Sequence, residues 1–304
     1  TPSGKEQVLP CYFVSEKKHN LSSWKARYTP QESGLYHYKV QLTKKGKKKD
    51  VSKESSFKVN RSDNPGFLHT KSNWVLEFDN GRLFRGIGEN ICWESRDEDD
   101  SKFFKKLHEK ADLCNYDYLL TEFAKNGGNF FRTWMCSWNL PIDYKGPFNN
   151  TRYAQSDEYY NPSALARMDY LLELSEELNL YIMLTLGQGG YLAGDRGVAE
   201  NAGDFFAGKK ARAWYKNRLR YIVARWGYST SIAMWEFFNE VDNVQFQNKD
   251  NPIDGKIIAD WHDEMSTYIK QIDPYHHIVT TSISHRDIEG LNSIKNIDIN
   301  HTTI

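Results

Sequence analysis

The sequence predicts an α/β protein: a (β/α)8 TIM barrel of which six strands are visible, preceded by a small all-β, sandwich-like region. Three observations carry this expectation. From about residue 83 onward, short apolar segments alternate with amphipathic helical stretches. The first five of those apolar segments recur at intervals of about 45 to 52 residues, each with a helix between, as right-handed parallel crossovers require. Before residue 72 the period is two rather than 3.6, with polar turns between short strands. A doubly wound sheet is the alternative, but it would want a Gly-rich phosphate turn after its first strand, and "RGIGEN" lacks the GxGxxG spacing.

In the all-β part, expected to span residues 1–72, "CYFV", "WKARYTP", "GLYHYKVQLT" and "SSFKVN" read as strands. The basic run "KKGKKKD" reads as a solvated hairpin tip around Gly46, since no aromatic residue is interleaved with it. About four strands are few for a sandwich, so its first strands are expected to lie outside these residues. "NRSDNPGFLH" is a turn-rich linker into the second domain, residues 73–304.

There the first strand is read in "LFRGIGEN", followed by the helix "YDYLLTEFAKNGGN" and the strand "FFRTWM". "PSALARMDYLLELSEELN" opens with Pro at a helix start and repeats Leu165, Met168, Leu171, Leu172 and Leu178 along one side. "LYIMLTLG" is apolar on both faces, as a buried parallel strand is. The helix "KKARAWYKNRLRYIVARWG" precedes the fourth strand "SIAMWEFFNE"; "DGKIIADWHDEMSTYIKQI" precedes the fifth, "HIVTTSIS"; "NIDINHTT" is the sixth. Six strands instead of eight imply that the domain continues past these residues.

Composition excludes some partners. Forty basic residues balance forty acidic ones, so no net charge points to nucleic acid or an anionic membrane surface. No apolar run reaches the roughly eighteen residues of a membrane span, and "TPSGKEQVLP" has no signal-peptide character. Nine Trp, eighteen Tyr and sixteen Phe suit either a large core or a sugar-binding cleft, where ring faces pack on pyranose faces. Cys11, Cys92, Cys114 and Cys136 show no CxxC spacing, so free thiols are expected, and neither a metal site nor a cofactor. Sequons at Asn20, Asn60, Asn149 and Asn300 are compatible with a secreted, periplasmic or cell-surface location. Oligomeric state has no signature in the sequence.

Barrel chemistry sits where strands end at their C-terminal face. That face collects Gly88, Glu89, Asn90 and Trp93 from the first strand, Arg132, Trp134 and Trp138 from the second, Tyr191 after the third, Asn239 and Glu240 from the fourth, and His301 from the sixth. A carboxylate at the tip of a buried strand is costly unless something uses it, which singles out Glu240. Alternation puts Glu236, Phe238 and Glu240 on one face and Trp235, Phe237 and Asn239 on the other until the strand frays. Glu236 then lies about 13 Å below Glu240, against the 5 to 5.5 Å separation a retaining glycosidase needs, so it reads as a structural charge paired with Arg132. Each of these aromatic residues could equally serve packing, and the acidic run Asp97 to Asp100 reads as a solvated loop rather than a Ca²⁺ site.

"AMWEFFNE" resembles the fourth strand of the clan A glycoside hydrolases, the group that holds family 5. "GGNFFRTWM" is similar to the clan's second strand, and "INHTT" to its sixth, although Thr303 stands where that strand often carries Tyr. "GIGENICW" and "LRYIVARWGYSTSIAMWEFFNE" resemble cellulase-like enzymes whose barrel follows a β-sandwich, and "WKARYTPQESGLYHY" is similar to that sandwich. The resemblance implies a retaining β-glycosidase acting on a poly- or oligosaccharide, with Glu240 as general acid/base and Arg132 supporting the nucleophile. Asn239 would bind the sugar 2-hydroxyl, with His301, Trp93, Trp134, Trp138 and Tyr191 contacting substrate. The clan's nucleophile is a Glu ending a seventh strand, which implies that it lies beyond these residues and that they alone hydrolyse poorly. A carbohydrate-binding protein without hydrolytic activity is the competing expectation. A metal-dependent barrel hydrolase would want HxH on its first strand, where none stands.

Overall fold

The computed structural model describes residues 1–16, 21–73, 75–96, 114–187, 198–246 and 248–302. The N-terminal region is all-β: β1 (Tyr12–Glu16) pairs with β2 (Leu21–Lys25), β3 (Gly34–Tyr38) with β6 (Ser55–Val59), and β4 (Gln41–Lys44) with β5 (Lys47–Val51), all antiparallel. Lys45 and Gly46 both have positive φ, at 52° and 71°, which lets two residues turn β4 back onto β5. The three pairs form separate two-stranded sheets and leave Trp24, Leu35 and Tyr38 exposed.

β7 (Leu68–Ser72), β8 (Val75–Phe78) and β9 (Leu83–Phe84) form an antiparallel three-stranded sheet. The domain boundary expected between residues 72 and 73 therefore falls inside the β7–β8 hairpin, where Leu68 pairs with Phe78.

The barrel sheet is parallel and sequential: β10 (Gly88–Asn90), β11 (Phe130–Trp134), β12 (Tyr181–Thr185), β13 (Ile232–Glu236), β14 (Ile278–Ile283) and β15 (Ile299–Thr302), in that order. These are six consecutive strands of a (β/α)8 TIM barrel. The segment read as one first strand, residues 83–90, is divided: β9 belongs to the antiparallel sheet and only β10 joins the barrel. Gly86, between them, lies against Phe84 and Phe130, and Gly88, the first residue of β10, against Phe130, where a Cβ would crowd the rings.

Helices cover the outside. Asn115 caps α1 (Tyr116–Lys125), its side chain accepting from the Tyr118 N–H; Asn161 caps α2 (Pro162–Glu177), whose first residue is the Pro. α3 (Ala202–Ala207) leads into α4 (Lys209–Trp226), α5 (Val241–Gln245) follows β13, and Asp254 caps α6 (Gly255–Ile272). The main core lies between sheet and helices, around Leu171, Tyr215, Leu219, Trp235, Phe237 and Trp261. A smaller cluster fills the barrel floor, where Leu68 and Phe78 of the antiparallel sheet plug onto Met183, Ala233, Met234 and Ile278.

The N-terminal region is tied to the barrel wall by specific contacts. Arg27 Nη1 donates to Asp169 at 3.0 Å and to the Arg225 carbonyl at 3.1 Å, and the Thr29 N–H donates to the Tyr275 hydroxyl at 2.8 Å. Phe67 stacks on Tyr275 with centroids 4.3 Å apart. All four cysteines are free.

Candidate active site

Register aligns the upper row of the barrel: Trp134 faces Thr185, Thr185 faces Glu236, and Glu236 faces Thr280. Arg132, one pleat lower on β11, reaches up into this row. Its Nε and Nη2 donate to Glu236 at 2.7 and 2.8 Å, and Nη2 also donates to Asn239 Oδ1 at 2.8 Å. Thr185 Oγ1 donates to Glu236 as well, and His301 Nδ1 stands 3.5 Å from its Oε1. Burial pushes the Glu236 carboxyl pKa up, but His301, Arg132 and Thr185 outweigh it and hold the group below its ordinary value. Glu236 is a fully buried, ionised anchor.

The expected alternation fails at the strand end. β13 stops at Glu236; Phe237 and Phe238 both turn outward onto Trp261, and Asn239 comes inward to Arg132. Asn239 thus shares the inner side with Glu236, a correction to the two-face pattern. The irregular stretch is still tied to both neighbours, with the Asn239 N–H donating to the Gly187 carbonyl and the Ser282 N–H to the Phe238 carbonyl, each at 3.0 Å.

Glu240 then adopts φ 53° and ψ 57°, left-handed backbone that costs a non-glycine residue about 1 kcal/mol or more. Its N–H donates to Ser282 Oγ at 2.9 Å, and its Oε2 accepts from Asn243 Nδ2 at 2.8 Å. The turn is pinned by Asp242, fully buried, which accepts from the Ser284 N–H at 2.7 Å, the Ser284 hydroxyl at 2.8 Å and the N–H groups of His285 and Arg286 at 3.3 Å. Burial raises the Asp242 pKa, but these donors outweigh it and hold the carboxylate ionised. Asp242, Asn243 and Ser282 escaped the sequence reading; the i, i+3 spacing of Glu240 and Asn243 was the available signal.

Three tryptophans come together beside this network. Trp93 meets Trp134 edge-on at 5.1 Å and Trp138 at 5.7 Å between centroids, so part of each ring is spent on its neighbour. The Arg132 guanidinium lies 5.1 Å from the Trp134 centroid, and that of Arg96 lies 5.4 Å from Trp138. The indole N–H groups of Trp134 and Trp138 and Arg132 Nη1 are buried with no hydrogen-bond partner among the described residues, donors left over for a polar ligand. Tyr191, Thr303 and the acidic run Asp97 to Asp100 lie outside the described residues. Glu94 is buried and committed to Arg167 and the Tyr116 N–H. Among the described residues no group of three or more His, Cys, Asp or Glu side chains could hold a metal, and no helix is long and apolar enough to cross a membrane.

Known proteins match this frame. The profile of the Cellulase family, glycosyl hydrolase family 5, matches residues 97–298. Mannan endo-1,4-β-mannosidase A of Podospora anserina is 25% identical over 207 residues, 60% of this chain and 52% of that protein. Mannan endo-1,4-β-mannosidase 3 of Oryza sativa subsp. japonica is 24% identical over 181 residues, 53% of this chain and 35% of that protein. The chain thus spans about half or less of the length of these curated relatives. The endo-1,4-β-mannanase of Rhizomucor miehei superposes with a TM-score of 0.55 at 17% identity, covering 77% of this chain and 70% of the other. The β-mannanase of the blue mussel Mytilus edulis superposes with a TM-score of 0.53 at 14% identity, covering 78% and 74%. The structural likenesses carry the fold, and the profile carries the family: the chain belongs to glycosyl hydrolase family 5.

Proposed function

We propose that this chain carries the acid/base side of a retaining β-glycosidase site, with Glu240 as the proton donor. The observation that carries the reading is the pair at the tip of β13: Asn239, oriented by Arg132, and Glu240, held in left-handed backbone at the barrel mouth. The Glu240 carboxyl would give its proton to the glycosidic oxygen as the C–O bond breaks, then take one from water in the second half-reaction. Because Asn239 Oδ1 is occupied by Arg132, its NH2 is the end free to donate to a sugar 2-hydroxyl, a contact that strengthens as oxocarbenium character develops. Trp93, Trp134, Trp138 and His301 would line the sugar's path.

The nucleophile is assigned to no described residue, since Glu236 is spent on Arg132, Thr185 and His301. That commitment favours a second reading, a carbohydrate-binding barrel without turnover. Because the relatives above are mannan endo-1,4-β-mannosidases, β-1,4-mannan is the first substrate to assay. A secreted, periplasmic or cell-surface location, where polymeric glycans are met, belongs to the same proposal and is checked by cell fractionation. The deciding experiment incubates the intact protein with β-1,4-mannan and other β-linked glycans. Release of reducing sugar supports hydrolysis, and saturable binding without any release supports the second reading.

A further inference from the structure

Asn243 stands between Glu240 and a cation. Its Nδ2 donates to Glu240 Oε2 at 2.8 Å, and its Oδ1 accepts from Arg286 Nη1 at 3.4 Å. A guanidinium has donors only, so it dictates which end of the amide faces it. With the oxygen turned to Arg286, the NH2 must turn to Glu240. Arg286 is itself fixed. Its N–H donates to the buried Asp242 carboxylate at 3.3 Å, its guanidinium lies 4.0 Å from that carboxylate, and it sits 4.9 Å from the centroid of the Phe246 ring. The left-handed turn at Glu240 brings residue 243, one helical turn on, back beneath the carboxyl.

We propose that Asn243, oriented by Arg286, is a positioning residue that gives the two oxygens of Glu240 different tasks. Oε2 is held as an acceptor and Oε1 carries the proton delivered to the glycosidic oxygen. The chemistry allows one arrangement: a protonated carboxyl has one acceptor-only oxygen and one O–H, and an N–H donor aimed at Oε2 makes Oε2 the former. Among the described residues Oε1 accepts no hydrogen bond. The inference rests on reading Glu240 as the proton donor, and it names the substrates that need it. Unactivated sugar leaving groups depend on a correctly presented proton, whereas a dinitrophenolate departs without one.

The test uses the full-length enzyme with an oligosaccharide it cleaves and the 2,4-dinitrophenyl glycoside of the same sugar. Asn243→Ala should lower kcat/KM on the oligosaccharide about 10- to 100-fold, the range for losing a hydrogen bond to an ionisable group, and change kcat/KM on the aryl glycoside, which reports the first half-reaction alone, by less than about 3-fold. Asn243→Asp, which offers an acceptor instead of a donor, should lose more than Asn243→Ala on the oligosaccharide. Arg286→Met should cause a smaller loss alone and none when added to Asn243→Ala, as expected of residues acting in series. Asn243 is exposed, so the variants should keep the wild-type melting temperature. Equal losses on both substrates, or additive losses in the double variant, overturn the proposal. If Glu240→Ala itself turns over the oligosaccharide at the wild-type rate, the proton-donor reading fails first. If Glu240→Ala is inactive and Asn243→Ala is indifferent to the leaving group, only the present inference fails.

Discussion

Arg132 and Glu236 meet side by side inside the barrel, Nε and Nη2 each donating to a different carboxylate oxygen, with Glu236 fully buried. This fork fixes the guanidinium so that its remaining reach falls on Asn239. The strand floor thereby sets the orientation of a residue at the barrel mouth.

Removing one partner of this pair leaves a buried charge. Glu236→Ala should destabilise the fold by roughly 3 to 5 kcal/mol, read as the urea midpoint at constant slope. The sign with pH follows from the lowered Glu236 pKa, ordinarily 4.5. The folded state holds the proton less tightly than the unfolded state, so the contribution is complete above pH 4.5 and is lost as pH falls below it. Glu236→Gln should flatten the acid limb of the stability curve in that window.

His262 titrates in a different window. It is fully buried between the Ile258 carbonyl, 2.8 Å from Nδ1, and Thr281 Oγ1, 3.2 Å from Nε2. Burial pushes its pKa from 6.5 down to about 4. The unfolded chain therefore gains the proton first, and stability should decline as pH drops from 6.5 to 4, by roughly 3 kcal/mol in total. His262→Gln should be less stable at pH 7 but lose this slope. An unchanged slope between those pH values would contradict the assignment.

Arg27 ties the N-terminal region to α2 and α4 through Asp169 and the Arg225 carbonyl. Both side chains are partly exposed, 29% and 20%, so screening limits the effect. Arg27→Ala should cost about 1 to 2 kcal/mol and speed proteolytic cleavage within residues 1–60 while leaving cleavage in the barrel unchanged. Equal protease sensitivity to wild type would show that other contacts hold the region.

The parallel strands β11 to β14 were legible because each is a short, largely apolar run that follows a helix; Asn161–Pro162 and Asp254 announce two of those helices in residue type alone. Glu240 was legible because a charge at such a strand tip has few structural uses, and the Arg132–Glu236 pair because two opposite charges pointed into one barrel. The inward turn of Asn239 was not. Alternation presumes continuous strand backbone, and here the strand stops at Glu236 and Glu240 enters left-handed space. Asn243 and Arg286 were hidden for the same reason, since their approach to Glu240 depends on that turn and on Asp242 gathering the loop after β14. The split of residues 83–90 between two sheets had no sequence signal beyond Gly86 and Gly88.

Asn239→Ala separates substrate positioning from fold. With its partner Arg132 still held by Glu236, the melting temperature should change little. kcat/KM should fall about 100-fold or more if the 2-hydroxyl contact supplies several kcal/mol at the transition state. A loss confined to KM would show instead uniform binding of the ground state.

The most direct measurement is azide rescue of Glu240→Ala in the full-length protein, using an activated aryl β-glycoside. If the carboxyl at position 240 is the acid/base of a double displacement, turnover of unactivated oligosaccharide should fall by about 10²- to 10⁴-fold. Azide should then restore turnover of the aryl glycoside with accumulation of the β-configured glycosyl azide. Wild-type turnover in the variant, or rescue that yields the α-configured azide, would contradict it.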